Sequence, residues 1–493
     1  MITVKIDPKK KHRISPYLYM QFMEPLSVTD TSVDAAWDFC KRDWFPSVVD
    51  KVRDLSPTMI RFGGCFASYY HWKEAIGKYE DRKPMVNYAW SGIYQNHVGT
   101  HEIVDFCRRV GAEPFLVANM ESEGMKHWAY PEGDIPRLGT AEEAAEWVDY
   151  CNNPNNAHRI DNGIETPYNV KYWQVGNETS YGAFTYNGHY ERGFTCDECY
   201  ETTARFAEKM KKKDPTITLI GWGDLERTRG SRSGEPWAKK MNALNDIDLL
   251  AFHHHFDSGL DNSPLRGTDY RHDAENTWMH LMNAYKSLQS TIDLMRSCCG
   301  GKRLAMTEGH FALPGRNRNE VLSSWGAGVA YARCLNVIMR NSDILDIATM
   351  ADFFGNVWQV NALMIPTPIW QGKPYLQPVG VVMKLFGKNQ GEYALDISYS
   401  GSVDAVGSVT GNVYYVHIAN TDMNASQEIE LDLGGLKIES ATMHYVAQKP
   451  TVEITPSSLD VFDERRLDLK SNKVTLPPAA VAAIEIKVAE TDR

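Results

Sequence analysis

Residues 170–178 read VKYWQVGNE, a short apolar run that ends abruptly in polar residues. Tyr172 and Trp173 are bulky side chains of the kind that favour a strand buried on both faces. The run then closes with a glycine, a carboxamide at Asn177 and a carboxylate at Glu178. In parallel α/β barrels the reactive groups lie at the carboxyl ends of the strands, so this ending indicates a functional strand end.

The same kind of apolar run recurs along the first three quarters of the chain. Eight runs lie at 17–24, 58–64, 114–120, 170–178, 218–224, 248–256, 303–309 and 346–354. Stretches with helical spacing separate them, among them 47–55, 101–111, 141–152, 199–215 and 328–342. Repeated strand–helix units with continuous apolar strands predict a parallel sheet. Eight units over residues 16–380 predict an α/β fold, a (β/α)8 TIM barrel with long loops.

The pattern changes after residue 380. Segments such as DAVGSVTGNVYYVHIANT (404–421) alternate apolar and polar residues between turn residues, and none of them indicates a long helix. This alternation predicts a C-terminal antiparallel β-sandwich over residues 381–493. The strand-like ITVKI near the N-terminus, within residues 1–15, is expected to add a strand to that sandwich.

Composition limits the classes of partner. The 493 residues carry a formal net charge of −11 and a pI near 5.8. Nucleic acids and anionic membranes attract basic surfaces, so neither is expected as the main partner. The N-terminal residues lack the apolar core of a signal peptide, and no run reaches the length of a membrane span. We therefore expect a cytoplasmic protein.

The nine cysteines indicate free thiols. Their number is odd and their spacing irregular, which argues against a disulfide framework and favours a reducing compartment. Cys196 and Cys199 form a CxxC pair, but a zinc knuckle would need a second pair at similar spacing, and the sequence has none. We expect no structural metal site.

Polar residues end most of the predicted barrel strands. Glu178 ends the fourth strand, and Glu308 in AMTEGH ends the seventh. The other polar strand ends are Glu24, Arg61, Asn119, Asp224, His253, His255 and Asp352. Because the carboxyl ends of parallel strands open on one face of a barrel, these side chains are expected to face one bowl.

Two carboxylates that face one bond are what glycoside hydrolysis requires. One carboxyl group must be protonated to donate to the leaving oxygen, and the other must be ionised to attack the anomeric carbon. Arg61 near Glu308 would keep that carboxylate charged, a histidine near Glu178 could tune the acid, and Asn177 could bind a sugar 2-hydroxyl. The hypothesis predicts carboxyl groups about 5–5.5 Å apart, the separation of a retaining enzyme.

Two readings from other classes stay open at this point. His253 and His255 lie on one side of their strand, and with nearby carboxylates they could serve a metal-dependent hydrolase. The chain could also be a non-catalytic sugar-binding protein, although the presence of both glutamates argues against this. Inserts such as 121–140 and 255–275 could close a pocket, which favours exo action over endo action.

Several longer segments resemble glycoside hydrolase family 51, the retaining α-L-arabinofuranosidases. The segments are QFMEPL (21–26), IRFGGCFASYYHWKEAIG (60–77), HVGTHEIVDFCRRVGAEPFLVANM (97–120), AEEAAEWVDYCNNP (141–154) and PYNVKYWQVGNE (167–178). The resemblance implies Glu178 as acid/base and Glu308 as nucleophile, with Glu24, Asn177 and His253 as sugar-binding residues. It also implies exo action on an oligosaccharide or polysaccharide-derived glycoside, no cofactor and a homo-oligomer.

The chain departs from the family at positions expected in the pocket. Cys65 stands where the family has a sugar-binding asparagine, and Gly309 and His310 follow the nucleophile in place of Trp-Asn. His255 replaces the family's tyrosine. Phe353 stands where the family has an eighth-strand glutamine, and Gln359 could substitute for that glutamine. These departures leave other glycones open: a β-D-galactofuranoside, a xyloside, a glucoside, or an endo-glucanase activity.

Overall fold

A computed structural model describes residues 1–489. Residues 88, 121–138, 182–183, 187–188, 192–193, 229–230 and 312–319 are not described, so most of the insert 121–140 lies outside the described residues. The core of the molecule is a parallel barrel, and the C-terminal part is built from two further sheets.

The parallel strands of the barrel follow one another in chain order. They are Gln21–Met23, Met59–Phe62, Glu113–Ala118, Tyr172–Val175, Thr218–Trp222, Leu249–Phe256, Arg303–Phe311, Leu345–Ala348 and Asp352–Gly355. Each of the first seven pairs in parallel with the next. The predicted TIM-like α/β fold is confirmed, and its strands are almost wholly buried because helices cover their outer face.

The eighth strand is interrupted, where the sequence predicted one run over 346–354. Leu345–Ala348 pairs with the seventh strand, and Asp352–Gly355 pairs with the first, so the two pieces together close the barrel. Between them the Thr349 hydroxyl donates to the Ala351 carbonyl. A Cβ at Gly309 would lie 2.6 Å from the Thr349 carbonyl oxygen, so this glycine lets the two strands approach at the break.

Helices form the outer layer. The longer ones are Pro46–Leu55, Thr100–Val110, Ala141–Asn152, Cys196–Lys213, Ala274–Asn283, Tyr285–Cys298, Trp325–Arg340 and Pro378–Lys388, and the shorter ones Val33–Ala36, Ala157–Asp161 and Ala238–Met241. Cys196–Lys213 begins at a capping box in which Thr195 and Glu198 satisfy each other's backbone amides. The boundary expected at residue 380 falls inside the helix Pro378–Lys388. Within the described part of the chain, no helix is long and apolar enough to cross a membrane.

The loops of the barrel contain short antiparallel strand pairs. They are Trp37–Asp38, Asp43–Trp44, Met85–Val86, Ile93–Tyr94, Phe184–Tyr186, His189–Glu191, Glu226–Thr228 and Ser231–Ser233, each paired with its neighbour along the chain. Asn361–Met364 and Tyr375–Leu376 extend the sheet beside the second piece of the eighth strand.

The C-terminal part contains a six-stranded and a four-stranded sheet with a shared apolar core. The larger sheet has the order Tyr393–Leu395, Val403–Thr410, Val413–Asn420, Val481–Val488, Ile438–Val446 and Arg465–Leu469, all antiparallel. The smaller has the order Ile397–Ser398, Ile2–Ile6, Gln427–Asp432 and Lys473–Leu476. Ile2–Ile6 runs parallel to Gln427–Asp432, so this one pair departs from the antiparallel pattern.

A buried carboxylate connects the barrel to the larger C-terminal sheet. Asp404 accepts hydrogen bonds from Arg333 at 3.3 Å and from Asn336 at 2.9 Å, and it also contacts Arg340. All three partners lie on the helix Trp325–Arg340, whose residues are nearly all buried because it packs between the larger C-terminal sheet and the helices Ala274–Asn283, Tyr285–Cys298 and Pro378–Lys388. The interface is therefore charged at its centre and apolar around it.

Candidate active site

The turn after the fourth strand places Glu178. Gly176 has φ 73° and Glu178 has φ 53°, so the backbone twice enters the left-handed region within three residues. A Cβ at Gly176 would lie 2.9 Å from the Met120 sulfur, which is why glycine is needed there. The consequence is a tight turn that leaves the side chains of Asn177 and Glu178 buried at the strand end.

Arg61 organises the floor of the site. Its side chain is fully buried, and it donates to Gln174 Oε1 at 3.1 Å, to Glu308 Oε1 at 3.1 Å and to Asn177 Oδ1 at 2.6 Å. The guanidinium fork thus connects the second, fourth and seventh strands. A buried positive charge with three acceptors fixes both the position and the charge of Glu308.

Both oxygens of Glu178 have partners. The Cys65 thiol donates to Oε2 over 3.2 Å, and His253 Nδ1 lies 2.9 Å from Oε1. The other ring nitrogen of His253 is 3.0 Å from the Thr307 hydroxyl, and the ring packs edge-on against Trp222. These contacts hold the carboxyl group of Glu178 in one orientation.

The guanidinium of Arg61 and the imidazoles of His253 and His255 surround Glu308. Its Oε2 lies 3.5 Å from His253 Nδ1 and 3.8 Å from His255 Nε2, on the side away from Arg61. Burial alone would raise the pKa of Glu308, but His253, His255 and Arg61 outweigh it and lower the pKa below its ordinary value. This carboxylate is therefore ionised at neutral pH.

The two glutamates face each other at short range. Ligand atoms of Glu178, Glu308 and His255 all lie within 4.8 Å of one another. A carboxylate separation of this size is that of a retaining glycosidase, since an inverting one needs room for a water between the groups. The same three side chains also form a set that could hold a metal ion, which includes His255 and the carboxylates of the metal-dependent alternative but not His253.

Glu24 forms one wall of the bowl. It accepts hydrogen bonds from the Phe66 backbone amide at 2.8 Å and from Trp90 Nε1 at 2.7 Å. Gly64 makes room for it, because a Cβ there would lie 2.2 Å from the Glu24 carboxyl carbon. Burial, followed by the charge of Glu308, raises the pKa of Glu24 well above its ordinary value.

His310 and Asp352 line the bowl next to Glu308. The rings of His255 and His310 lie 4.5 Å apart, and His310 Nε2 is 3.7 Å from Asp352 Oδ1. Burial first, then the charges of Glu308 and Asp30, raise the pKa of Asp352 to about 6. Asp352 was recognised as a polar strand end but was given no role in the site.

Phe353 does not line the pocket, contrary to the sequence interpretation. Its ring is fully buried and packs against Phe354 and Phe106, the latter on the surrounding helix Thr100–Val110. Asp352 is the residue of this strand that faces Glu308. The break in the eighth strand hid this register, because a shift of one residue exchanges the two faces of a strand.

Two predicted binding residues have contacts of other kinds. Asn119 donates to the Tyr70 carbonyl at 3.0 Å, and its buried Oδ1 has no hydrogen-bond partner among the described residues. Gln359 contacts Val357 and Gln377, and within the described ranges no hydrogen bond connects it to either glutamate. His254, expected on the opposite side from its neighbours, faces Ser287 in the helix layer at 3.2 Å.

A parallel barrel with a close carboxylate pair at its strand ends defines the class as a (β/α)8 barrel of the glycoside hydrolase type. Residues 51–266 match the family model "Alpha-L-arabinofuranosidase 1 domain", and residues 311–479 match "Alpha-L-arabinofuranosidase C-terminal domain". The chain belongs to glycoside hydrolase family 51, the α-L-arabinofuranosidase family.

Individual relatives agree with this assignment. The chain is 30% identical to "Alpha-L-arabinofuranosidase C" of Emericella nidulans over 44% of its own length and 40% of that protein, so the match spans less than half of this curated relative. It is 25% identical to "Intracellular exo-alpha-L-arabinofuranosidase" of Bacteroides ovatus over 89% of the chain and 86% of that protein. The crystal structure of the α-L-arabinofuranosidase from Thermotoga maritima in complex with arabinose has the same fold. Its TM-score is 0.76 at 22% identity, with 99% and 100% of the two chains covered.

Proposed function

We propose that this protein is a retaining, exo-acting α-L-arabinofuranosidase that works by double displacement. The observation that carries the proposal is the closeness of the two glutamates: an oxygen of Glu308 lies within 4.8 Å of an oxygen of Glu178, and His253, His255 and Arg61 lower the pKa of Glu308. An ionised carboxylate at this distance from a second carboxyl group has the geometry for attack on an anomeric carbon.

In the first step Glu308 attacks the anomeric carbon and Glu178 gives its proton to the departing glycosidic oxygen. The products are a glycosyl ester of Glu308 and a released alcohol. In the second step Glu178 takes a proton from water, which attacks the same carbon and frees Glu308. His253, within hydrogen-bond distance of Glu178, keeps that carboxyl group aimed at the scissile oxygen in both steps.

Asn177, Glu24 and Arg61 bind and orient the sugar in this proposal. Arg61 engages the oxygen of Asn177, and its NH2 group faces the Cys65 sulfur at 3.9 Å, a weak contact that a sugar hydroxyl could replace. Glu24 is fixed by two donors on one oxygen and offers the other to a sugar hydroxyl. The chemistry is complete with protein side chains and water, and the reaction needs no cofactor.

The substrate class is an arabinose-containing glycoside, as the names of the relatives suggest. We propose action inside the cell, which the name of the Bacteroides ovatus relative supports. The homo-oligomer stays a prediction, and analytical ultracentrifugation of the purified chain tests it.

The site also favours a second candidate glycone. Cys65, His255, His310 and Asp352 together make this side of the bowl more ionisable than an amide- and tyrosine-lined pocket. A related retaining activity on another furanoside or pyranoside, such as a β-D-galactofuranoside or a xyloside, would keep the same pair of glutamates.

The test is aryl-glycoside hydrolysis across a panel of furanosides and pyranosides in the presence of EDTA. We expect release from the α-L-arabinofuranoside, its loss in Glu308→Gln, and azide rescue of Glu178→Ala on an activated substrate. Glu275→Gln, a change on an exposed helix position, is the matched control. Release from another sugar alone would contradict the glycone, and turnover by Glu308→Gln would contradict the mechanism.

A further inference from the structure

His255 brings an unpartnered nitrogen to the pair of glutamates. Its Nε2 is buried, has no hydrogen-bond partner among the described residues, and lies 3.8 Å from Glu308 Oε2. An oxygen of Glu178 and an oxygen of Glu308 lie within 4.8 Å of this histidine's ligand atom and of each other. One imidazole nitrogen and two carboxylate oxygens are a donor set that divalent transition metals bind in proteins.

The outer side of this donor set is already fixed. Arg61 holds the other oxygen of Glu308, and Cys65 and His253 hold the oxygens of Glu178 from behind. Partners that orient ligands in this way raise metal affinity by preventing the side chains from turning away. Each nitrogen of the Arg61 guanidinium already donates to a protein acceptor, and binding of the ion would release the proton that Glu178 carries in the proposed reaction.

The distances suit an ion the size of Zn²⁺. Zinc binds nitrogen and oxygen ligands at about 2.0–2.2 Å, which places tetrahedral ligand atoms about 3.3 Å apart. The pair formed by His255 Nε2 and Glu308 Oε2 needs to close by about 0.5 Å, and the other two pairs, each within 4.8 Å, need to close by up to about 1.5 Å, which requires side-chain rotation. Three protein ligands would leave a fourth position open toward the bowl.

We propose that Glu178, His255 and Glu308 bind a divalent transition metal of the Zn²⁺ type, and that the bound ion inhibits the enzyme. The ion would occupy both carboxylates that the proposed reaction uses, so metal and sugar would exclude each other. The inference goes beyond the proposed function, because it assigns a second ligand class to the same residues. His255 is decisive, since the tyrosine that the family has at this position offers no imidazole nitrogen.

Direct binding is measured first, without any substrate. The purified full chain, stripped with EDTA and dialysed, is titrated with Zn²⁺ by calorimetry, and Co²⁺ is added in a parallel experiment as a visible probe of ligand type. We expect one ion per chain and a Co²⁺ spectrum without a sulfur charge-transfer band. His255→Tyr should weaken Zn²⁺ binding by at least about 100-fold, with circular dichroism verifying that the variant is folded.

The matched control addresses the other soft ligands of the chain. Cys196→Ser and Cys298→Ser remove half-buried thiols that could capture zinc by themselves. Both variants should bind Zn²⁺ as the wild type does. Unchanged binding in His255→Tyr, or its loss in either cysteine variant, would overturn the proposal.

Competition then separates this proposal from the proposed function. Saturating L-arabinose should displace the ion, and Zn²⁺ should inhibit aryl-arabinofuranoside hydrolysis competitively, with recovery on adding EDTA. If the sugar is not arabinose, the calorimetric titration still tests metal binding, because it contains no substrate. Activation by Zn²⁺ and lasting loss of activity in EDTA would instead indicate a metal-dependent hydrolase and overturn the inhibitory role.

Discussion

The thiol of Cys65 donates a hydrogen bond to Oε2 of Glu178 over 3.2 Å, in a part of the site that excludes most solvent. His253 contacts the other oxygen of the same carboxyl group, so a thiol and an imidazole hold it from two sides. A thiol is a weak donor. Its use beside a proposed acid/base means that Glu178 is oriented without being strongly bound in its ionised form.

Replacing Cys65 tests this orientation. Cys65→Ala removes a partner of Glu178, and since an ordinary hydrogen bond contributes about 0.5–1.5 kcal/mol, we expect kcat/KM for an aryl α-L-arabinofuranoside to fall by about two- to tenfold. Cys65→Asn should retain more activity because its amide restores a donor. Cys40→Ala, at an exposed cysteine, is the control. Full activity in Cys65→Ala would show that the thiol contact has no part in catalysis.

The pH dependence of the first chemical step reports on Glu308. In Glu178→Ala with an activated aryl leaving group, the first step no longer needs an acid, so kcat/KM reports the charge of the nucleophile and of the groups close to it. Because His253, His255 and Arg61 lower the pKa of Glu308 despite its burial, we expect the decline that protonation of Glu308 causes to lie below the ordinary glutamate value of about 4.3.

An additional inflection near pH 6 in that profile is expected from Asp352. It should disappear when Asp352→Asn is added to the same variant, because the amide does not titrate. A decline that remains centred above the ordinary glutamate value in the double variant would mean that Glu308 is not held in its ionised form.

Asp352 should also make stability fall as pH rises. Its pKa is raised to about 6 in the folded protein against an ordinary 3.8, so folding binds its proton more tightly. The stability that this contributes is full below pH 4 and is lost as pH rises through 6. Asp352→Asn should therefore be more stable than the wild type by up to about 3 kcal/mol at pH 8, and equal to it near pH 4. Urea unfolding at the two pH values measures this, and equal destabilisation at both would contradict the expectation.

Arg61 should matter for folding as well as for catalysis. Arg61→Met leaves Glu308 as a buried charge without its guanidinium and removes the donor that orients Asn177, so we expect a loss of about 3–5 kcal/mol in unfolding free energy. Thermal and urea unfolding measure the change. Arg53→Met, at an exposed arginine with a surface ion pair, should change stability by less than about 0.5 kcal/mol. Similar values for the two variants would refute the role given to Arg61.

The contact between the barrel and the larger C-terminal sheet depends on Asp404. Asp404→Ala leaves Arg333 and Arg340 facing each other beside Asn336, and we expect a loss of about 3–5 kcal/mol together with less cooperative unfolding. Differential scanning calorimetry resolves whether the two parts then melt separately. Asp396→Ala, in an exposed ion pair with Lys11, serves as the control and should melt as the wild type does.

The barrel could be predicted because its signals are local. Apolar runs and amphipathic stretches alternate along the chain, and polar residues such as Glu178 and Glu308 mark the strand ends directly. The break at Thr349 could not be foreseen, since it depends on the packing of Gly309 against a carbonyl from the neighbouring strand. Because of that break, Asp352 faces the pocket instead of Phe353, which the sequence pattern indicates.

Contacts between residues that are distant along the chain could not be predicted from the sequence for a similar reason. Trp90 donates to Glu24 across a loop that carries no recognisable motif, and His310 faces Asp352 only because two pieces of strand meet there. The amide of Gln359 makes it a candidate for sugar binding in the sequence, but in the structure this amide forms hydrogen bonds with Val357 and Gln377. The residue types in the sequence identify candidate site residues. The direction in which each side chain points depends on how the barrel is assembled, and the sequence does not show this.

The strand Ile2–Ile6 lies between Ile397–Ser398 and Gln427–Asp432, so its partners come from the other side of the barrel in chain order. All the parallel strands of the barrel lie between this strand and its partners along the chain. Pairings between such distant segments form slowly, because a long loop must close before any contact rewards it. The barrel can therefore form from contacts between neighbouring segments, whereas the smaller C-terminal sheet needs a contact that spans the entire barrel in sequence and should be the slower part to form.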